Sequence, residues 1–172
     1  LILLGFYGST YAAPDRFALD VMTAILSGMS GRLFQSVREQ HGLSYALGAA
    51  HSPGWDPGSL VVYAATRPEE QTKVLEVIDE QLRLAADKGF TEDEVTRAKR
   101  FLIGGHRMDL QHLVGLAKQS VLDELYGLGY DAWMKYEDEI NAVTIAQVNE
   151  AAKRYLTLQR HSQVVISPNG RH

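Results

Sequence analysis

Two polar side chains seven positions apart, Arg38 and Tyr45, carry the strongest chemical suggestion in the sequence. A guanidinium presents a rigid fork of donors suited to carbonyl or carboxylate oxygens, and a phenol hydroxyl can donate to an oxygen that gains negative charge. The residue types alone fit a bland reading equally well: a surface charge near a helix end and a half-buried strand residue. Other candidates are weaker. Gly28-Met29-Ser30-Gly31 has the look of a nucleophile elbow, but position 32 is Arg and a helix pattern precedes the turn, so Ser30 reads as a cap for the next helix. Neither a Walker pattern nor a strand–GxGxxG–helix unit accompanies that turn, which leaves phosphate binding little support. The six histidines are scattered; His106, Asp109 and His112 come closest to a metal-ligand spacing, but position 112 turns away from 106 on a helix.

The elements that must hold Arg38 and Tyr45 are legible. Ser27–Tyr45, SGMSGRLFQSVREQHGLSY, reads as turn, helix, turn and strand start. Leu33, Phe34 and Val37 form an apolar stripe over Arg32–Gln40, and His41-Gly42 stops that helix as a C-terminal glycine does. Leu43–Ala50 then alternates, with Tyr45, Leu47 and Ala49 on one side. Upstream, Leu1–Tyr7 is nearly all apolar and predicts a strand buried on both faces, followed by a helix from Pro14 to about Leu26. Ser59–Thr66 predicts a second strand, apolar on both faces and an antiparallel hairpin partner for Leu43–Ala50. Downstream come a long helix from Pro68 to Lys88, a capping box at Thr91–Glu94, and a helix that Gly104-Gly105 should kink or break. Helices near Gln111–Tyr126 and Ala132–Ile140, a second capping box at Thr144–Gln147 and a last strand at Gln163–Ser167 complete the pattern. Hairpin pairing with runs of helices predicts an α+β fold, an antiparallel sheet with helices on one face, in one domain spanning 1–172.

Bulk properties narrow the function classes. A net charge of −4 with both signs dispersed gives no basic face for nucleic acid. The absence of cysteine excludes disulfides, thiolate metal sites and a cysteine nucleophile. The longest apolar run, Leu60–Ala65, is far shorter than a membrane helix needs, so an integral membrane protein is not expected. The start at Leu1 reads as a mature or excised piece; the compartment stays open between cytoplasm and periplasm.

At Gly28–Phe34, Val37-Arg38-Glu39 and Gly42-Leu43-Ser44-Tyr45 the sequence resembles the C-terminal half-domain of the pitrilysin/insulinase family of zinc metallopeptidases, relatives of mitochondrial processing peptidase. Gly31 departs from the small hydroxyl residue that many members carry there. The resemblance implies homologous half-domains facing each other around a cavity. One half holds zinc through His-x-x-Glu-His and a distal Glu; the other, which this chain resembles, lacks the metal site and contributes an Arg and a Tyr to the bound peptide. It implies that Arg38 and Tyr45 bind substrate and support the transition state, and that no cofactor is bound by this chain. Zinc is expected in the partner half, which lies in the same polypeptide or in a separate subunit. The chain alone should then be inactive, and its docking surface leaves self-association open. Two other readings stay open: a non-peptidase scaffold of the same fold, as in respiratory-complex core subunits, and a stand-alone peptide-binding module.

Overall fold

The computed structural model describes residues 1–28, 31–157 and 161–167. Four strands form one antiparallel sheet in the order β2-β3-β1-β4: β1 (Ile2–Tyr7), β2 (Ala46–Ser52), β3 (Ser59–Ala65) and β4 (Ser162–Val165). The expected hairpin is present, with Ala49 opposite Val62 and His51 opposite Leu60.

Alternation decides which face is covered. Ile2, Leu4 and Phe6 of β1 and Leu60, Val62 and Ala64 of β3 are buried beneath the helices. The intervening side chains face away: Tyr7 is 72% exposed and Tyr63 37%. The expectation that β1 is buried on both faces is therefore corrected. The apolar runs of β1 and β3 cover the core with one parity and leave an open apolar face with the other.

The helices pack on the covered face. Helix α1 (Arg16–Leu26) buries Leu19, Val21, Met22, Ile25 and Leu26; α2 (Gln71–Lys88), entered through a 3₁₀ turn at Pro68–Glu70, buries Val74, Val77, Ile78, Leu82 and Ala85. Helix α3 (Glu92–Asp109) and α6 (Ile145–Tyr155) both start in complete capping boxes, Thr91 with Glu94 and Thr144 with Gln147. Between them lie α4 (Leu113–Leu125) and α5 (Tyr136–Ala142), the latter preceded by a 3₁₀ turn at Ala132–Lys135. Helix α4 ends before Gly127 and Gly129, which take φ of 73° and 89°.

Gly104 and Gly105 do not end α3, which continues through both to Asp109. Propensity costs about 1 kcal/mol per glycine, and neighbouring turns held by packing and the capping box outweigh that. A Cβ added at Gly104 would meet nothing within 4 Å. Gly104→Ala is expected to stabilise the fold by about 0.5–1 kcal/mol, read as a raised urea midpoint with unchanged slope.

Candidate functional site

The segment carrying Arg38 and Tyr45 is fixed from beneath and from both ends. Leu33 and Val37 are fully buried and seat it on the core. Gly31 lies so close to the end of α1 that a Cβ there would fall 2.0 Å from the Ser27 carbonyl oxygen. Arg32 donates two hydrogen bonds to the Glu94 carboxylate, at 2.6 and 2.8 Å, and one to the Gly89 carbonyl at 2.9 Å.

The expected helix over Arg32–Gln40 is present but is wound as a π-helix from Phe34 to Gln40. Wide turns of this kind are rare and occur often at functional sites. The Arg38 guanidinium lies 4.8 Å over the Phe34 ring, which steadies its plane and leaves its edge donors open. Gly42, at φ 64°, reverses the chain, with its N–H on the Arg38 carbonyl at 2.8 Å and the Leu43 N–H on the Val37 carbonyl at 3.0 Å.

Beyond the turn, two hydroxyls bind the connection to the end of β3. Ser44 Oγ donates to the Ala65 carbonyl and Thr66 Oγ1 to the Leu43 carbonyl, both at 2.7 Å. These bonds delay the strand: β2 begins at Ala46, not Leu43, and Tyr45 stands just outside it, 79% exposed. Arg38 is exposed as well. Among the described residues neither side chain has an ion-pair or hydrogen-bond partner. Both present unused donors to solvent from anchored backbone. Ser30, the expected cap, lies outside the described residues.

A second polar cluster forms no motif in the sequence. His51 Nδ1 lies 2.6 Å from Asp20 Oδ1, and its Nε2 lies 3.1 Å from Ser9 Oγ and 3.3 Å from the Ser9 backbone nitrogen. A backbone N–H can only donate, so Nε2 accepts and Nδ1 carries the proton shared with Asp20. The composition is that of a serine-hydrolase triad. Ser9, however, is only 2% exposed, and its own N–H already occupies the nitrogen that would act as base. The cluster is a clasp joining the end of β1 to α1 and β2. The one available signal was parity: His51 pairs with Leu60 on the core side of the hairpin, where an imidazole needs polar partners.

The donor set does not suit zinc. His41 Nδ1 donates to the Ser36 carbonyl at 2.7 Å, His106 Nε2 donates to the Trp133 carbonyl at 3.2 Å, and His51 belongs to the clasp. Among the described residues no three His, Asp or Glu side chains converge as metal ligands. No helix there is long and apolar enough to cross a membrane.

Comparison with known proteins places this architecture. Residues 1–102 match the family model described as the peptidase M16 inactive domain. The chain belongs to the peptidase M16 family. This inactive domain is similar to an uncharacterised zinc protease of Mycobacterium leprae, 35% identical over 97% of the chain and 38% of the relative. A Bacillus subtilis zinc protease is 30% identical over 98% of the chain and 41% of the relative. The chain thus spans about two-fifths of the curated relatives it matches. Among solved structures, the M16 inactive domain from Pseudomonas fluorescens superposes with a TM-score of 0.81 at 24% identity, over 94% of this chain and 39% of that one. A candidate zinc protease from Bordetella pertussis gives a TM-score of 0.83 at 19% identity, over 97% of this chain and 93% of that one. The resemblance seen at Ser27–Tyr45 and the α+β fold expected from the sequence both stand.

The Arg32–Glu94 pair that anchors the M16 segment also sets a pH dependence. Burial alone would raise the Glu94 carboxyl, but hydrogen bonds from Arg32 and Thr91 overcome it and lower the group from 4.5 to about 2. Because the folded value is the lower one, this stabilisation is complete above about pH 4.5 and is lost as pH falls toward 2. Urea midpoints of the unaltered protein should therefore fall more steeply across that interval than those of Glu94→Gln; parallel curves would show that the pair contributes nothing.

Proposed function

We propose that this chain is the substrate-binding half of a zinc-dependent metalloendopeptidase and completes the active site of a zinc-carrying partner half through Arg38 and Tyr45. The observation that carries the reading is the pair itself: two large donors, unengaged and exposed, on backbone tied to β3 and the core. Exposed polar side chains of this size gain nothing for the fold, whereas a rigid mount lowers the ordering cost of meeting a ligand. Peptide hydrolysis builds negative charge on the scissile carbonyl oxygen, and the Tyr45 hydroxyl is suited to donate to it. The Arg38 fork, backed by Phe34, is suited to grip substrate backbone carbonyls and fix an extended peptide.

The metal belongs to the partner half, in the same polypeptide or in a second subunit. The zinc-protease names of the relatives and their greater length support such a partner. Exposed apolar side chains on one stripe of α4, Val114, Val121 and Leu125, support a docking surface. The same surface would favour self-association of the isolated chain.

The test is peptide hydrolysis by the complete assembly carrying Arg38→Ala or Tyr45→Phe. Loss of one transition-state donor is expected to lower kcat by roughly 10²–10³. Unaltered turnover in both variants would remove the proposed roles and leave the scaffold reading in possession of the fold.

A further inference from the structure

Among the described residues β4 has one neighbour, β1, and so forms one border of the sheet; β2 forms the other. Leu1 and Ile166 exchange both N–H···O bonds, at 2.9 and 2.8 Å, which makes them a hydrogen-bonded pair. Bonded and non-bonded pairs alternate along an antiparallel ladder. In the register of β1 with β4, Leu3–Val164 and Gly5–Ser162 are therefore bonded pairs. Gln163 and Val165, opposite Leu4 and Ile2, turn their N–H and C=O groups to the free side. Among the described residues these outward groups have no partner. At the β2 border, by contrast, the Ala49 N–H is taken by Ser27 Oγ at 3.3 Å, at the end of α1.

Apart from being short, β4 carries none of the devices that keep sheet borders from pairing. Its ladder with β1 runs without a bulge, and Ser162-Gln163-Val164-Val165 holds neither a charge nor a proline. Ser162, Gln163 and Val164 are all exposed, so no described helix covers them. Val164 and Ile166, 50% and 57% exposed, add apolar surface to the unpaired backbone.

We infer that β4 pairs with β4 of a second copy of this chain, antiparallel about a two-fold axis normal to the sheet. The partial charges of this border are complementary to those of its own copy. Under that axis the outward groups of Gln163 meet those of Val165 in the second copy, and the reverse, with every N–H facing a C=O. This register alone forms both bonded pairs. It sets Val164 against Val164 of the second copy as the central non-bonded pair and Ser162 against Ile166. No charged side chain of β4 meets its like. The two sheets become one, with four strands from each copy and both helical layers on the same side. So short a border buries less than the ~1,200 Å² of a stable complex, so the dimer exchanges readily with monomer. The surface is distinct from α4, and the inference uses neither Arg38 nor Tyr45.

The chain has no cysteine, so a single introduced one reports the pairing. Residue 164 faces its own copy at about 4.5 Å between Cα atoms, within disulfide reach. In a glutathione redox buffer Val164→Cys should form covalent dimers at least about tenfold faster than Lys118→Cys, an exposed control on α4. Ser162→Cys and Ile166→Cys should cross-link faster when mixed than either does alone. Sedimentation equilibrium of the unaltered chain should show dimer growing between about 10 μM and 1 mM. Gln163→Pro removes an outward N–H and leaves the bonds to β1 in place, so it should weaken the dimer at least about tenfold with little change in melting temperature. Should that variant not fold, Val164→Lys, at an exposed position, sets two like charges together on the axis and must weaken the dimer as much. A monomer at every concentration up to about 1 mM, cross-linking of Val164→Cys no faster than the control, or a dimer that survives both substitutions would each overturn the inference. The last would assign self-association to another surface.

Discussion

The guanidinium of Arg32 ties together three helix ends that the chain brings from distant places. It bonds the carbonyl of Gly89, where α2 stops, and the carboxylate of Glu94, which is already the closing residue of the α3 capping box. It also lies 4.6 Å over the Phe90 ring between them. The π-turn that follows Arg32 is thereby referenced to the α2–α3 junction as well as to the core beneath Leu33 and Val37. Gly31 lies against Ser27 at the end of α1, where only a residue without a Cβ fits. Arg38 is placed by that seating, and Tyr45 by it together with the Ser44 and Thr66 bonds to the end of β3. Loss of either partner would strand a partly buried charge, a larger penalty than the pair's own net gain.

What could be read from the sequence was what is encoded locally. The capping boxes at Thr91 and Thr144 involve residues three apart, and both are found as expected. The hairpin partnership and the glycine stop at Gly42 are local in the same sense. The discrepancies have a common origin in long-range contacts. Whether β1 is covered on one face or two depends on which elements pack over it, and its residues are equally apolar in either case. Ser9, Asp20 and His51 come from three separate elements, and Arg32 meets Glu94 across 62 positions. Asp123 was invisible because α4 buries this one acid while Val114, Val121 and Leu125 lie exposed.

The two layers divide the labour of the fold. The helical layer supplies the core and the ion pairs that seat the Arg38–Tyr45 segment, and the sheet supplies the edge from which that segment emerges. The uncovered sheet face retains Leu3, Val61 and Tyr63, residues chosen for a pleated surface that needs partial shielding from water. Membership of a family whose relatives are more than twice as long gives that openness a natural setting.

Strand β1 lies in the middle of the sheet, and one of its two neighbours is β4, more than 150 residues later in the chain. Leu1 and Ile166 exchange hydrogen bonds in both directions at the end of that pairing. On a ribosome the helices can form as they emerge, but the central strand keeps one raw edge until β4 has been synthesised. Closing so large a loop makes this a late and slow step, during which an apolar edge is open to misplaced partners. Substitutions that weaken β4 should therefore show first as aggregation during synthesis, before any loss in the finished protein is felt.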